Sequence, residues 1–239
     1  MINKLGWIVV SAVLLQGGYA CARDSSDLSL DDATQLVITE TDAAGETKYF
    51  LNIELWDKKS EAAWQHASSY PPKFSTEQEH QQTVALVQFL VKAVEGLKAH
   101  FESSGELAER AANTYRMAFN LDISDVLQQR DSAKRYYQLA LQFKPDDART
   151  YWLYGSFLCS AQECQEGIPY LERARDLGSI NALRDLALAS LDSCNEEARA
   201  VGYLQQYLKH FPTDEKSLYL LKALQSGSFV NRNCQQGKN

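Results

Sequence analysis

Two short runs near the start of the chain alternate in hydropathy with period two. Leu36 and Ile38 alternate with Val37 and Thr39, and Tyr49, Leu51, Ile53 and Leu55 alternate with Phe50, Asn52, Glu54 and Trp56. Successive side chains of a strand point to opposite faces, so these runs predict two strands. Between them Asp42-Ala43-Ala44-Gly45-Glu46 carries turn chemistry, with Gly45 free to take positive φ. The expected hairpin places Tyr49, Leu51, Ile53 and Leu55 on one buried face. It must pack on helices, because a lone hairpin is marginal in water. The polar, acid-rich stretch 23–33 ahead of it reads as an exposed terminus, and Lys59–Ser68 as a short helix ending before Pro71-Pro72.

From Ser75 the period becomes helical. Ser75-Thr76-Glu77-Gln78 fits a capping box, with Ser75 the cap and Gln78 reaching back. Val84–Leu97 is polar only at Gln88, Lys92 and Glu95, a narrow wet stripe on a helix otherwise apolar on several sides. Gly105 reads as the end of this helix or the turn after it. Glu106–Asn120 is the next helix, with Ala108, Ala111, Ala112, Tyr115 and Ala118 as packing positions.

The rest of the chain repeats. Pro145 follows an apolar helical stretch, Gly178 follows another 33 residues later, and Pro212 follows a third after 34 more. A helix ending at each mark, with a period near 34, is the spacing of stacked helix pairs. Tyr151, Tyr154, Gly155 and Leu158 open one pair, and Gly167, Leu171 and Ala174 lie on its second helix. Leu183, Leu186 and Ala187, then Ala200, Leu204 and Tyr207, continue the pattern. Upstream, Ala133, Tyr137 and Ala140 occupy second-helix positions.

These residues make the chain resemble the tetratricopeptide family over roughly residues 106–225. The stretch Tyr170-Leu171-Glu172-Arg173-Ala174-Arg175-Asp176-Leu177-Gly178 with Ala182, Leu183, Leu186 and Ala187 is similar to the related Sel1-like repeat. Three departures stand out. Leu121-Asp122-Ile123-Ser124 interrupts the first opening motif, the middle mark is Gly178 rather than proline, and Pro169 falls in the first turn of a helix. The expected fold is mainly α: a short α-solenoid of antiparallel helix pairs with an N-terminal β-hairpin region. The expected divisions are 1–22, 23–74, 75–227 and a tail at 228–239.

Residues 1–22 read as an export signal. One cation at Lys4 precedes the mostly apolar Leu5–Leu15, followed by Gln16, Gly17 and Gly18. Ala20-Cys21-Ala22 offers a small-x-small cleavage site. Gly18-Tyr19-Ala20 before Cys21 resembles a bacterial lipobox instead, which would make Cys21 a lipidation site. Periplasmic or secreted localisation is the first expectation and an outer-membrane lipoprotein the second. Either route leaves Cys159, Cys164, Cys194 and Cys234, an even number that suits two disulfides in an oxidising compartment. The net charge of −7 argues against nonspecific nucleic-acid binding. No apolar run reaches the roughly 18–20 residues of a membrane span, so a membrane anchor would require lipid on Cys21.

No catalytic constellation is evident. His66, His80, His100 and His210 form no HExxH pair, and GxSxG, GxGxxG and phosphate-loop patterns are absent. Asp146-Asp147 and Glu196-Glu197 stand at helix starts, where carboxylates complement the helix dipole. No enzyme activity, metal or cofactor is implied. Helix repeats act through surfaces, and the resemblance implies a concave groove lined by the first helix of each pair. Helical projection from Gly155 places Arg149, Trp152 and Ser156 there. The next pair adds Arg184 and Leu188, and the last helix Lys216 and Tyr219. Three cations and two aromatics suit an acidic or C-terminal carboxylate segment of another protein. The expected role is an adaptor of an envelope complex. An immunity protein neutralising a secreted toxin is the second reading, and an enzyme or small-ligand binder the third.

Repeat geometry also suggests the cysteine pairing. Cys159 ends a first helix, Cys164 starts the second, and Cys194 occupies the same turn 35 residues after Cys159. The expected bonds are Cys159–Cys164 and Cys194–Cys234, the latter pinning the tail over the end of the stack. Cys164–Cys194 with Cys159–Cys234 is the competing arrangement.

Overall fold

The computed structural model describes residues 25–43, 45, 47–192 and 196–229. The leader 1–22, Cys21, Cys194 and Cys234 lie outside them. Strands β1 (Val37–Thr41) and β2 (Thr47–Leu51) pair antiparallel, with Val37 opposite Leu51 and Thr41 opposite Thr47. Gly45 takes φ +81° in the turn. The buried face expected for the hairpin does not form. Leu51 is buried, but Tyr49 is 60% exposed, and the chain leaves the strand at Asn52. There the Asn52 side chain accepts from the Leu55 backbone N–H at 3.1 Å and caps helix α1 (Ile53–Ala67). Ile53 and Leu55 are therefore helical. Trp56, Lys59, Ala63 and Ala67 form the buried stripe of α1, at spacings of three and four. The helical array thus begins at Ile53, ahead of position 75.

The acid-rich stretch before the hairpin is held, not free. Leu28 and Leu36 are buried. The buried Lys59 ammonium donates to the Asp27 and Ser29 carbonyls at 3.1 and 2.6 Å and pairs with Asp32 at 2.7 Å. A buried ammonium needs such a set of acceptors to offset its lost hydration. The bond from Lys59 holds the Asp32 carboxyl below its ordinary value.

Helix α2 (Glu77–Gly96) starts one residue later than the expected box. Thr76 caps it by accepting from Glu79 N–H at 3.1 Å, and the Glu79 carboxylate accepts from Ser75 N–H at 2.7 Å. Gln88, Lys92 and Glu95 are exposed as expected, opposite Leu86, Val87, Leu90 and Val94. A single turn, α3 (Lys98–Phe101), follows. Gly105 then opens α4 (Gly105–Asn120) rather than closing the previous helix. A Cβ there would meet Phe143 Cβ at 3.0 Å, so the glycine lets α4 start against the end of α5 (Val126–Phe143). Leu121-Asp122-Ile123-Ser124 is the corner between these two helices. Its apolar residues are buried, and Asp122 and Ser124 take φ +52° and +42°.

Two further pairs follow: α6 (Ala148–Ser160) with α7 (Cys164–Asp176), and α8 (Ile180–Asp192) with α9 (Glu197–Leu208). A terminal α10 (Glu215–Gln225) completes the array. Antiparallel partners α4–α5, α6–α7 and α8–α9 pack most closely, and each pair packs on the next. Among the described residues from Gly105 to Gln225 there is no strand. Pro145 follows α5, Gly178 turns with φ +93° after α7, and Pro212 follows α9. Gly155 and Gly167 sit where α6 and α7 touch: a Cβ on Gly167 would lie 2.7 Å from the Gly155 carbonyl. Tyrosines fill the space between and within pairs, with Tyr137 of α5 stacked on Tyr154 of α6 at 5.4 Å and Tyr154 tilted against Tyr170 of α7 at 4.4 Å. Pro169 is the sixth residue of α7, not in its first turn. It and Gln165, whose carbonyl loses a partner, are both on the exposed side. A disulfide joins Cys159 to Cys164 across the α6–α7 corner.

Candidate functional site

Polar links run from one first helix to the next and trace a continuous face. Asp57 of α1 receives both arms of the Arg110 guanidinium of α4 at 2.7 Å. Glu109 of α4 pairs with Arg149 at 3.3 Å and accepts from the Thr150 hydroxyl at 2.6 Å, both on α6. The Trp152 indole of α6 donates to Asp185 of α8 at 2.8 Å. This is the face that the repeat resemblance leads one to expect on the concave side of the stack.

Arg149 is exposed, but Glu109 faces it. Trp152 and Ser156 are half-buried, and Arg184 is exposed. Leu188 is 42% and Tyr219 78% exposed. Lys216 is exposed at the start of α10, where Asp214 caps the helix by accepting from the Lys216 and Ser217 N–H groups at 3.2 and 3.3 Å. The structure gathers Trp152, Ser156 and Arg184 around a residue that the projection passed over, Asp185. Lys216 and Tyr219 lie further along, on α10, and among the described residues no side-chain contact links them to this cluster.

Asp185 is the centre of the middle section. Burial pushes its carboxyl above the ordinary carboxylate value. The Trp152 indole, the Arg184 charge and the Ser156 hydroxyl act in the opposite direction without cancelling that effect. Beneath it lies Arg116 of α4, 5% exposed. Its guanidinium donates to the Leu153 carbonyl at 3.2 Å and to the Ser68 carbonyl at 2.9 Å, and lies 5.1 Å from the Trp64 ring centre. Arg116 thus ties the end of α1, α4 and α6 into one floor. Its position two helical turns after Glu109, on the same side of α4, was the available signal for this role.

At the α1 end the face deepens into a cleft of about 380 Å³ between α1, α4 and the start of α6. Sequence reasoning missed it because Trp56 was assigned to a strand. Read as a helix, Trp56, Ser60 and Trp64 form one row at spacings of four. The face is therefore mixed in charge. Acids accompany the expected cations: Glu109 pairs with Arg149, and Asp185 and Asp214 lie close enough to Arg184 to feel its charge. Among the described residues no cluster of three or more His, Cys, Asp or Glu is arranged to hold a metal ion, and no helix is long and apolar enough to cross a membrane.

No family model matches the chain, and no curated protein matches it. Solved structures do. The crystal structure of TTC0263, a thermophilic TPR protein of Thermus thermophilus, aligns over 72% of this chain and 91% of its own, with 13% identity and a TM-score of 0.50. MamA aligns over 69% of this chain and 93% of its own, with 17% identity and a TM-score of 0.44. At such identity a likeness concerns the fold alone. The chain has the tetratricopeptide type of helical-repeat fold.

Proposed function

We propose that this chain is an exported scaffold that binds a segment of another protein along the face of its first helices, as an adaptor in an envelope complex. One observation carries the reading. Asp185 lies on the face of the first helices with its carboxyl raised by burial, accepting from the Trp152 indole at 2.8 Å and close to Arg184, a polar centre on a face otherwise free to be apolar. Exposed Leu188 and Tyr219 extend the same face with apolar area that the fold itself does not use. Export rests on the charged, apolar and small-residue order of residues 1–22.

Affinity capture from envelope extract with the mature chain tests the reading. Arg184→Glu combined with Lys216→Glu avoids Arg149, which Glu109 already neutralises. The pair should weaken partner binding at least tenfold with helicity unchanged. Unchanged affinity would remove the concave face from the account. Recovery of one secreted toxin at 1:1 stoichiometry would replace the adaptor role by that of an immunity protein. Full-length chain retaining Met1 in the cytosol would defeat export, and release from membranes only by detergent would assign lipid to Cys21.

A further inference from the structure

The last helix stands alone where its predecessors are paired. The first helices α4, α6 and α8 each have an antiparallel second helix against them, whereas α10 packs on α9 and, among the described residues, has no second helix of its own. Its inner side is in use: Ser217 is buried, and Leu220, Leu221 and Leu224 lie on the core of the last pairs. The described chain ends with Phe229 packed on that same core. The outer side is the stripe Glu215, Leu218, Tyr219 and Lys222, whose spacings of three and four put them on one helical face. Tyr219 is 78% exposed, and Leu218 is half-buried outside the core packing. Glu215 and Lys222 are exposed and make no ion pair among the described residues. A terminal repeat needs a polar outer face for solubility; this one carries a leucine and a tyrosine between an acid and a base.

The stripe is complementary to itself. A two-fold axis brings the same patch of two copies together. Placed across α10 between Leu218 and Tyr219, it makes the two helices antiparallel, the arrangement of every other pair in the stack. Glu215 then faces Lys222 of the second copy at both ends, and Leu218 lies on Tyr219 of the second copy in the middle. A parallel alignment would instead set acid against acid and base against base. We propose that α10 is a homodimer joint: a second copy of this chain lays its α10 antiparallel on the first and supplies the helix that the stack lacks. One helix against its copy buries less than the about 1,200 Å² of a standard interface, so the dimer is reversible, with a dissociation constant in the micromolar range or above. The joint does not depend on the scaffold reading. Where both hold, Tyr219 belongs to the joint and one dimer carries two partner faces.

The test is sedimentation equilibrium of the mature chain alone over a hundredfold range of concentration, where the average mass should rise from one chain toward two. Glu215→Lys and Lys222→Glu each turn two attractive contacts into two repulsive ones, and each should weaken self-association at least tenfold. An equimolar mixture of the two variants again sets acid against base at both ends, and should associate as tightly as the wild type. That rescue separates a lost contact from a frayed α10, which mixing would not repair. Tyr219→Ser should abolish association. A wild type that stays monomeric, single variants that dimerise as well as the wild type, or a mixture that stays monomeric would overturn the proposal. So would dimerisation that begins only when residues 230–239 are removed, which would place the tail on the stripe. No partner protein is present in these measurements, so their failure leaves the scaffold reading standing. Unchanged partner affinity in the Arg184/Lys216 variant would remove the scaffold reading and leave the joint.

Discussion

Replacing Gly155 by alanine tests the stack at its tightest point. A Cβ at this position would stand 2.8 Å from Leu171 Cγ and 2.9 Å from both the Gly167 carbonyl oxygen and the Leu171 backbone nitrogen. Favourable contacts between heavy atoms lie near 3.5–4.0 Å, so the overlap is roughly 0.7 Å. Two of the three atoms belong to the α7 backbone, so rotamer changes cannot relieve it and the helices must separate. Overpacking of this kind costs about 1–3 kcal/mol, sometimes more. Contact with unyielding backbone puts Gly155 at the upper end of that range, and alanine's better helix propensity returns about 1 kcal/mol, so the net loss should be about 1–2 kcal/mol. Gly202, in α9, is the control, because a Cβ there meets nothing within 4 Å. Gly202→Ala should gain about 0.5–1 kcal/mol from propensity alone. For a domain of this size each kcal/mol moves Tm by about 2–4 °C, so thermal melts followed by circular dichroism should move in opposite directions. Gly155→Ala with Gly167→Ala should cost less than the two losses added, since both strain the same contact. A Gly155→Ala protein at least as stable as the wild type would refute the close α6–α7 approach.

Three other expectations follow from single residues. Asp185→Asn keeps an acceptor for Trp152 without the charge. The folded carboxyl lies above its ordinary 3.8, so burial weakens the wild type once pH rises through the folded value. The variant should therefore be more stable at pH 7, with the gain fading as pH falls toward 4 in melts at stepped pH. Asp214→Ala removes the cap of α10 and its bond to the Ser217 hydroxyl at 3.0 Å. It should cost about 1 kcal/mol, read as faster amide exchange in Glu215–Gln225. Peptide mapping without reductant should recover Cys159 linked to Cys164, and Cys159→Ser with Cys164→Ser should cost about 2 kcal/mol for so short a loop. A Cys164–Cys194 peptide would contradict the α6–α7 corner.

The repeats were readable because their punctuation is chemically forced. Pro145 and Pro212 cannot continue a helix, Gly178 adopts a φ that side chains avoid, and Gly155 and Gly167 sit where a Cβ does not fit. The start of the array was not readable from periodicity. Tyr49, Leu51, Ile53 and Leu55 satisfy an alternation of two, yet Trp56, Lys59, Ala63 and Ala67 satisfy a helix equally well. The decision falls to one side chain, Asn52, which caps α1 and ends the strand. Lys59 added to the difficulty, since a lysine on a buried stripe is legible only once the carbonyls of Asp27 and Ser29 are in place. On the concave face the projection found Trp152, Ser156 and Arg184 because helix geometry alone positions them. It passed over Asp185 and Glu109, whose importance comes from partners 33 and 41 residues away in sequence, Trp152 and Thr150. Long-range pairing of that kind leaves no local pattern.

The central claim, that a partner segment lies along the first helices, is tested most directly by site-specific photocrosslinking in the envelope. A photoreactive residue at Ser156 or Leu188 probes the concave face, and one at Gln142 or Gln205 probes exposed positions on the second helices α5 and α9. Covalent partner adducts are expected from positions 156 and 188 and none from 142 and 205. Adducts from the second helices alone would contradict the claim.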